Sequence, residues 1–302
     1  MVRKHTRRAA KAAYAVSLAV AIVIGLTTAA AGSAAGKPTV TIGTKNFTEQ
    51  YVLGELYKQA LQAKGYKVVD KSNIGSSEVI DTALKSGKIN FYPEYTGVIV
   101  TDLAKEPFPK SASATYAAAL KWEQKRGFTL LQPTPFFDSD GFVMLKSTAR
   151  KLGVKTIADM KKVKSFSYAG FPECRTRITC LLGLKNIYGL KQVKFVPLAS
   201  ISVYTLLDDG KITAGDGFST DPQLQTGKYV TLTDTKHIFG FQNVAPVLTK
   251  ALAADPKLVK IVNAVSAKLT VPAIAAMNKA VAVDKKLPSA VARAFLKANG
   301  LG

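Results

Sequence analysis

Histidine, cysteine and tryptophan are scarce in this chain of 302 residues, which has two, two and one of them. One histidine, His5, lies in the basic N-terminal segment, so a histidine-rich metal site cannot form in the rest of the chain. A Ser-His-Asp triad would have to use His237, and no G-x-S-x-G turn accompanies it. We therefore predict no catalytic residue, metal or cofactor, and the protein is not expected to be an enzyme.

Acidic residues are also few, with 20 Asp and Glu against 42 Lys and Arg, a formal net charge of +22. Such a balance can indicate a nucleic-acid partner. The lysines are spread singly along the chain, however, and no nucleic-acid motif is present. Spread charge indicates a solvated surface or attraction to an anionic cell envelope. No nucleic-acid partner is predicted.

Long apolar runs are missing except near the N-terminus. Five basic residues and no acid lie in residues 1–11, Ala12–Leu26 is nearly all apolar, and small residues follow to Gly36. This order is typical of a secretory signal peptide, which we assign to residues 1–36 with cleavage near Ala34 or Ala35. An uncleaved anchor is the alternative, although the run is short for a membrane span. Cleavage would lower the formal charge to about +17, and no cysteine near the junction could carry a lipid.

The two cysteines, Cys174 and Cys180, both lie beyond the signal. In an exported protein an even pair favours a disulfide. Closing so short a loop should contribute about 2 kcal/mol. A Cys-x5-Cys metal site is the alternative, and it lacks a nearby histidine.

Beyond the signal, segments with strand and helix patterns alternate in two series. The first begins with the strand Thr39–Gly43, and Asn46 with Glu49 can form a capping box for the helix that follows. The irregular stretches near Pro133–Asp138 and His237–Gln242 are interpreted as crossovers. The pattern predicts an α/β protein of two lobes with a ligand cleft between them. The predicted boundaries are 37–135 and 241–302 for the first lobe and 136–240 for the second.

Three segments stand at the ends of predicted strands. They are GTKNFTEQ (43–50), YPEYTG (92–97) and FSTD (218–221). Together, behind a signal peptide, they resemble the substrate-binding proteins of osmoprotectant ABC importers, the glycine betaine/carnitine/choline-binding family. The resemblance runs from about Thr39 to the C-terminus. It implies the type II periplasmic-binding-protein fold, two lobes joined by two crossovers, and an aromatic cage that binds a quaternary ammonium through cation–π contacts.

The resemblance implies four cage positions. Tyr95 matches a cage tyrosine, while Phe218 and Phe241 stand where the family has tyrosines and retain only the ring. The fourth position falls on Gly141, so that wall is open or completed by Phe142 or by Phe137. For these phenylalanines, ordinary core packing is the alternative.

Charged residues are expected to choose between ligands. By the resemblance, Lys45 faces the ligand and Arg177, between the two cysteines, grips a carboxylate, for which its fork is suited. Asp138 and Asp140 follow the first crossover, where turn hydrogen bonds are the alternative role. If both face the cleft they favour a cation such as choline; if Lys45 and Arg177 dominate, a zwitterion such as betaine is favoured.

The sequence thus predicts the extracytoplasmic solute-binding subunit of an ABC importer. It would capture a quaternary ammonium osmoprotectant by hinge closure and work as a monomer with a membrane permease and an ATPase. Val98, which follows the YTG glycine where the family has Thr or Asp, leaves the solute open. The alternatives are a same-fold protein for another small polar or cationic solute, and a sensor without a transport role.

Overall fold

The computed structural model describes residues 37–199 and 201–302, and the predicted signal peptide lies outside them. Two five-stranded sheets organise this part of the chain. We call the portion built on the first sheet the first lobe and the portion built on the second sheet the second lobe. The exact lobe boundaries stay a prediction.

The first sheet has the strand order β2-β1-β3-β10-β4, in which β1 pairs in parallel with β2 and β3, and β10 runs antiparallel to β3 and β4. The first lobe begins with β1 (Val40–Lys45), α1 (Thr48–Ala63), β2 (Val68–Gly75), α2 (Ser77–Lys85), β3 (Phe91–Tyr95), α3 (Thr96–Val98), α4 (Ala112–Lys125) and β4 (Phe128–Leu130). A π-helical turn, Ile99–Leu103, continues α3.

The second sheet has the order β7-β6-β8-β5-β9, with β6 parallel to β7 and β8, and β5 antiparallel to β8 and β9. Its elements are β5 (Asp140–Leu145), α5 (Lys146–Leu152), β6 (Phe166–Gly170), β7 (Val193–Pro197), α6 (Val203–Asp208), β8 (Ala214–Phe218) and β9 (Tyr229–Thr231). Short 3-10 or π turns connect them at Ile157–Lys162, Pro172–Thr176, Gly183–Ile187 and Pro222–Thr226.

The chain then returns to the first lobe. The returning elements are β10 (Val244–Thr249), α7 (Lys250–Ala253), α8 (Pro256–Ser266), α9 (Val271–Ala282) and α10 (Pro288–Ala298). The last three helices pack on α1 and bury an apolar core with it. Among the described helices none is long and apolar enough to cross a membrane alone; α8 and α9 reach that length and composition only together, with a bend of 83° between them.

The two crossovers run side by side. Phe137 and Asn243 form an antiparallel bridge, and the Asp138 amide donates to the Gln242 carbonyl at 3.1 Å. The Asn243 side-chain amide donates to the carbonyls of Thr134 and Phe136 at 3.1 Å each. The two connections are therefore fastened to each other by hydrogen bonds, while each lobe keeps its own core.

The predicted alternation of strands and helices agrees with these elements to within a few residues. The predicted capping box is wrong, because α1 begins at Thr48 with Phe47 as its N-cap and no side-chain cap. Glu49 is buried instead and bonds across the cleft, as described below.

Candidate functional site

A cavity lies between the lobes, where strands of both sheets end. Lys45 ends β1, Tyr95 ends β3 and Phe218 ends β8, and all three line the cavity. The carboxyl ends of strands in open α/β sheets are where ligands bind. This inner cavity has a volume of about 50 Å³. It adjoins an outer cavity of about 670 Å³, with which it shares five lining residues.

Four aromatic rings form a continuous row along the inner cavity. The ring centroids of Tyr95 and Phe47 are 6.3 Å apart, those of Phe47 and Phe218 are 5.5 Å apart, and those of Phe218 and Phe171 are 6.4 Å apart. All four residues line the inner cavity, and we call them the aromatic row. Because the face of each ring is negative, such a row attracts a cation.

The Lys45 ammonium already lies over this row. Its Nζ is 4.1 Å from the centroid of Tyr95 and 5.6 Å from that of Phe47. It also forms an ion pair with the buried Glu94 carboxylate at 2.5 Å and donates to Ser77 Oγ at 3.1 Å. Burial lowers the pKa of Lys45 from its ordinary value, and Glu94 opposes that shift. The charge of Lys45 is thus largely neutralised within the first lobe.

Arg177 is also engaged by a carboxylate. Its Nε and Nη2 donate to the two carboxylate oxygens of Glu78 at 3.1 and 3.0 Å, a bidentate pair. Glu78 belongs to α2 in the first lobe and Arg177 follows β6 in the second, so this pair joins the lobes across the cleft. Burial would raise the pKa of Glu78, but its hydrogen bonds from Arg177 lower that pKa to about 2.

Three aspartates line the inner cavity from the side of the second lobe. They are Asp138, Asp140 and Asp216. Asp138 accepts hydrogen bonds from the Thr220 amide at 3.0 Å and the Ser219 hydroxyl at 3.2 Å. Burial raises the pKa of Asp140 to about 7; Arg177 counters this shift and Asp102 reinforces it. Burial likewise raises the pKa of Asp138 and of Asp216. A cation in the cavity would therefore stabilise the ionised form of each of these carboxylates.

Glu49 connects the two lobes beside the aromatic row. Its carboxylate accepts hydrogen bonds from the Tyr95 hydroxyl at 2.8 Å, the Thr220 hydroxyl at 2.7 Å and the Asn278 amide at 2.8 Å. Thr220 follows β8 in the second lobe, whereas the other donors belong to the first. A second hydroxyl, that of Thr179, donates across the cleft to Asp102 at 3.0 Å.

Cys174 and Cys180 form a disulfide, as predicted, and both border the inner cavity. The pair encloses Arg177 in its loop. A sulfur of each and an Asp216 oxygen lie within 4.8 Å of one another. Since the two sulfurs are bonded to each other, they offer no thiolate, and the alternative of a Cys-x5-Cys metal site does not apply to this structure.

Two predicted ligand residues lie away from the cavity. Phe142 is fully buried in the core of the second lobe, where its ring packs on Tyr168 and Phe166. Phe241 is 41% exposed and does not line the inner cavity. Its neighbour Gln242 does, and the Gln242 Oε1 accepts a hydrogen bond from the Val98 amide at 3.1 Å. The structure brings the other six predicted residues together: Lys45, Tyr95, Asp138, Asp140, Arg177 and Phe218.

Neither Gly141 nor Phe137 supplies a ring to the inner cavity. A Cβ on Gly141 would lie 3.0 Å from the Thr231 side chain, so Gly141 faces the neighbouring strand β9. Phe137, half exposed, does not line the inner cavity either. Phe171, directly after β6, is the ring that lies beside Phe218 at the end of the aromatic row.

Sequence reasoning missed Phe47, Phe171 and Asp216 as site residues. Phe47 belongs to the GTKNFTEQ segment, which was itself recognised. Phe171 and Asp216 lie at or just beyond the carboxyl ends of β6 and β8, and that position could have singled them out. His237 does not line either of these two cavities.

Comparison with known proteins places these features in a family. The model for OpuAC, the substrate binding domain of ABC-type glycine betaine transport systems, matches residues 38–298. A glycine-betaine-binding protein of Pseudomonas aeruginosa is 29% identical over 278 residues, which cover 87% of this chain and 88% of the relative. The carnitine transport binding protein OpuCC of Listeria monocytogenes is 25% identical over 269 residues, 87% of each chain.

A solved structure described as a glycine betaine/carnitine/choline ABC transporter has the same fold. It superposes with a TM-score of 0.69 at 24% identity and covers 87% of this chain and 99% of its own. The prediction of a two-lobed type II periplasmic-binding-protein fold is thereby confirmed, as is the resemblance inferred from the three sequence segments.

Proposed function

Because the chain belongs to the family of substrate-binding domains of ABC-type glycine betaine transport systems, we propose that its inner cavity captures a quaternary ammonium solute on the aromatic row. The observation that carries this proposal is the meeting of four rings and three aspartates in one cavity between the lobes. A trimethylammonium group has no N–H to donate, so ring faces and nearby carboxylates are the groups that can bind it. Each ring contact is worth about 0.5–2 kcal/mol when the cation is desolvated.

The proposed ligand residues are those that line the cavity. Tyr95, Phe47, Phe218 and Phe171 hold the ammonium, and Asp138 and Asp140 supply negative charge. Lys45 and Arg177 are paired with Glu94 and Glu78, which weakens the case for a carboxylate on the solute. Phe142 and Phe241 are not part of this proposal, because neither borders the inner cavity. We therefore favour a cation of the choline type over a zwitterion of the betaine type.

Capture is proposed to proceed by hinge closure about the paired crossovers. In the part of the chain that the structure describes, two connections, near Asp138 and Gln242, join the lobes. Hydrogen bonds across the cleft, such as that from Thr220 to Glu49, can form only when the lobes are together. Closure would bury the solute and create the surface that a permease recognises.

The cellular setting is proposed from the sequence. The N-terminal segment would direct export and be cleaved, and the protein would act outside the cytoplasm as a monomer that delivers its solute to a permease driven by an ATPase. The family's role in transport agrees with a binding protein rather than an enzyme.

Replacement of Tyr95 by Ala tests the proposal. Calorimetry should show at least tenfold weaker binding of choline, since one ring face and its hydrogen bond to Glu49 are lost. Tyr95→Phe is the matched control, because it retains the ring and removes only the hydroxyl; it should lose less than threefold. Equal losses in both variants, or unchanged affinity in Tyr95→Ala, would remove the ring from the site. A thermal-shift panel of choline, betaine, carnitine and amino acids that gives no stabilisation would refute the ligand class.

A further inference from the structure

The Lys45 ammonium occupies a ring of the aromatic row that the proposed solute would need. Its Nζ lies 4.1 Å from the centroid of Tyr95, well inside the distance at which a ring face attracts a cation. Both residues border the inner cavity, and neither borders the outer one. The Lys45 side chain is buried, so it takes up space at the cleft instead of extending into solvent. The row therefore already holds a cation that belongs to the chain itself.

The first lobe alone supplies the hydrogen bonds that the described structure gives to this ammonium. Nζ donates to Glu94 Oε1 at 2.5 Å and to Ser77 Oγ at 3.1 Å. The rings over which it lies, Tyr95 and Phe47, belong to the same lobe. Because these contacts do not depend on closure, we expect Lys45 to lie over Tyr95 in the open protein too, which is the form that a solute meets first.

A second cation on the same ring would be repelled. Burial lowers the pKa of Lys45 and the charge of Arg177 adds to this effect, while Glu94 and Asp140 oppose it. A trimethylammonium group on Tyr95 would bring another positive charge within a few ångströms, in a space from which water is excluded and where charges interact strongly. Such a group can therefore use the face of Tyr95 only after the Lys45 ammonium has left it.

The Glu94 carboxylate offers the displaced ammonium an alternative position. Glu94 is fully buried, and its Oε2 has no hydrogen-bond partner among the described residues. A buried carboxylate oxygen without a donor is costly. A shift of the Lys45 Nζ from Oε1 toward Oε2 would preserve the ion pair and give this oxygen the donor that it lacks. Lys45 can thus leave the ring without losing its counter-charge.

We propose that Lys45 determines affinity as an internal competitor, whose ammonium occupies Tyr95 in the empty protein and is displaced by the ammonium of the solute. This inference rests on the proposed function of the aromatic row. It reverses the role that the sequence implied for Lys45, a favourable contact with the ligand. Displacement lowers the affinity by what Lys45 gains from the ring, and the return of Lys45 to the ring would promote release of the solute.

Replacing the ion pair by neutral side chains tests the displacement. The double variant Lys45→Met Glu94→Gln removes the competitor without leaving a buried charge unpaired, and calorimetry should show about fivefold tighter binding of choline. Lys45→Arg retains a cation and should give no gain. Lys58→Met Glu55→Gln is the matched control, because this pair has the same 2.5 Å contact but lies outside both cavities. It should leave the affinity within twofold.

The natural protein provides a second measurement, by nuclear magnetic resonance with isotope-labelled lysine. The ring current of Tyr95 should shift the ε-methylene protons of Lys45 upfield, and saturating choline should move that signal toward the position of an exposed lysine. Lys45→Arg assigns the signal by its loss. Lys37 is the internal reference, since its Nζ lies 5.1 Å from the centroid of Tyr66, away from both cavities, and its signal should not move.

The two measurements separate this inference from the proposed function. Choline binding that is unchanged or weaker in a folded double variant would overturn the inference, as would a Lys45 signal that stays in place when choline is bound. Thermal melting checks the fold, and if the double variant unfolds, the lysine signal decides alone. If no quaternary ammonium solute binds either the natural protein or the double variant, the proposed function fails and the inference fails with it.

Discussion

The exterior of this molecule and its cleft have opposite charge. The whole chain contains 42 basic and 20 acidic residues. Seven of those acids line the two cavities, against three bases. The acids are Glu49, Asp138, Asp140, Glu173, Asp208, Asp216 and Asp221, and the bases are Lys45, Arg177 and Lys285. A basic surface therefore surrounds a cleft rich in acidic residues, and the residues of the cleft are the ones that contact the solute.

The difference teaches that net charge is a poor guide to the ligand. Charges on the exterior are screened within about 10 Å at ordinary ionic strength, whereas those in a buried cavity are not. Burial also forces each cleft acid to find a donor, a cation or a proton. The acids of the cleft accordingly fall into two groups. Some, such as Glu49, hold the lobes together through several donors, and others, such as Asp140, remain available to a solute.

Glu49→Ala should produce the largest effect, because it removes a structural acid. Three donors, the hydroxyls of Tyr95 and Thr220 and the amide of Asn278, would lose their shared acceptor. We expect the free energy of unfolding to fall by about 3 kcal/mol and the melting temperature by several degrees. Denaturant unfolding measures this. Asp140→Ala is the contrast, since it should not destabilise the empty protein. Similar losses in both variants would contradict the division of the acids.

Binding of choline should weaken about tenfold between pH 8 and pH 6. Burial raises the pKa of Asp140 to about 7; Arg177 and Lys45 oppose this shift, and Asp102 reinforces it. A cation prefers the ionised carboxylate, which predominates above pH 7 and is about one-tenth populated at pH 6. Calorimetry across this range measures the slope, and Asp140→Asn should flatten it.

The same pKa gives the empty protein the opposite trend. In the unfolded chain Asp140 releases its proton near its ordinary pKa of 3.8. In the folded protein it retains the proton to about pH 7, so its contribution to stability is lost as pH rises from about 4 to 7. A choline affinity that rises toward low pH would show that Asp140 does not act as a carboxylate in binding.

Glu78→Gln should change the selectivity severalfold by freeing Arg177. At neutral pH Glu78 is ionised, because its pKa of about 2 lies far below, and it occupies the guanidinium of Arg177. Without that charge, Arg177 could meet a carboxylate on the solute. We expect the ratio of betaine affinity to choline affinity to rise three- to fivefold. Because the ratio compares two solutes in the same variant, any effect of the substitution on lobe closure that both solutes share cancels.

Glu55→Gln is the matched control for this experiment, since Glu55 also pairs with a basic residue, Lys58, but away from both cavities. A rise in this affinity ratio with Glu55→Gln, or no rise with Glu78→Gln, would show that Arg177 does not determine the selectivity between betaine and choline.

The fold was largely predictable, because alternating apolar runs and turn residues determine which segments form strands and helices. The site was predictable only where it coincides with strand ends in recognised segments, as for Lys45, Tyr95 and Phe218. Phe171 was missed because it meets Phe218 only through the pairing of β6 with β8, two strands that are far apart in the sequence. Phe241 was misplaced because the adjacent Gln242 enters the cleft and bonds to the Val98 amide, which turns the ring outward.

Neutralising exterior lysines should have the smallest effect on choline affinity. This variant tests whether exterior charge influences binding in the cleft at all. Lys64 and Lys88 are exposed and line neither cavity. The double variant Lys64→Gln Lys88→Gln lowers the net charge by two, yet choline affinity at 0.15 M salt should change by less than twofold, because screening confines their field to about 8 Å. Asp140→Asn, which removes a carboxylate inside the inner cavity, should weaken choline binding far more at pH 8. A comparable change from the lysines would mean that the basic exterior, and not the acidic cleft, governs the potential at the aromatic row.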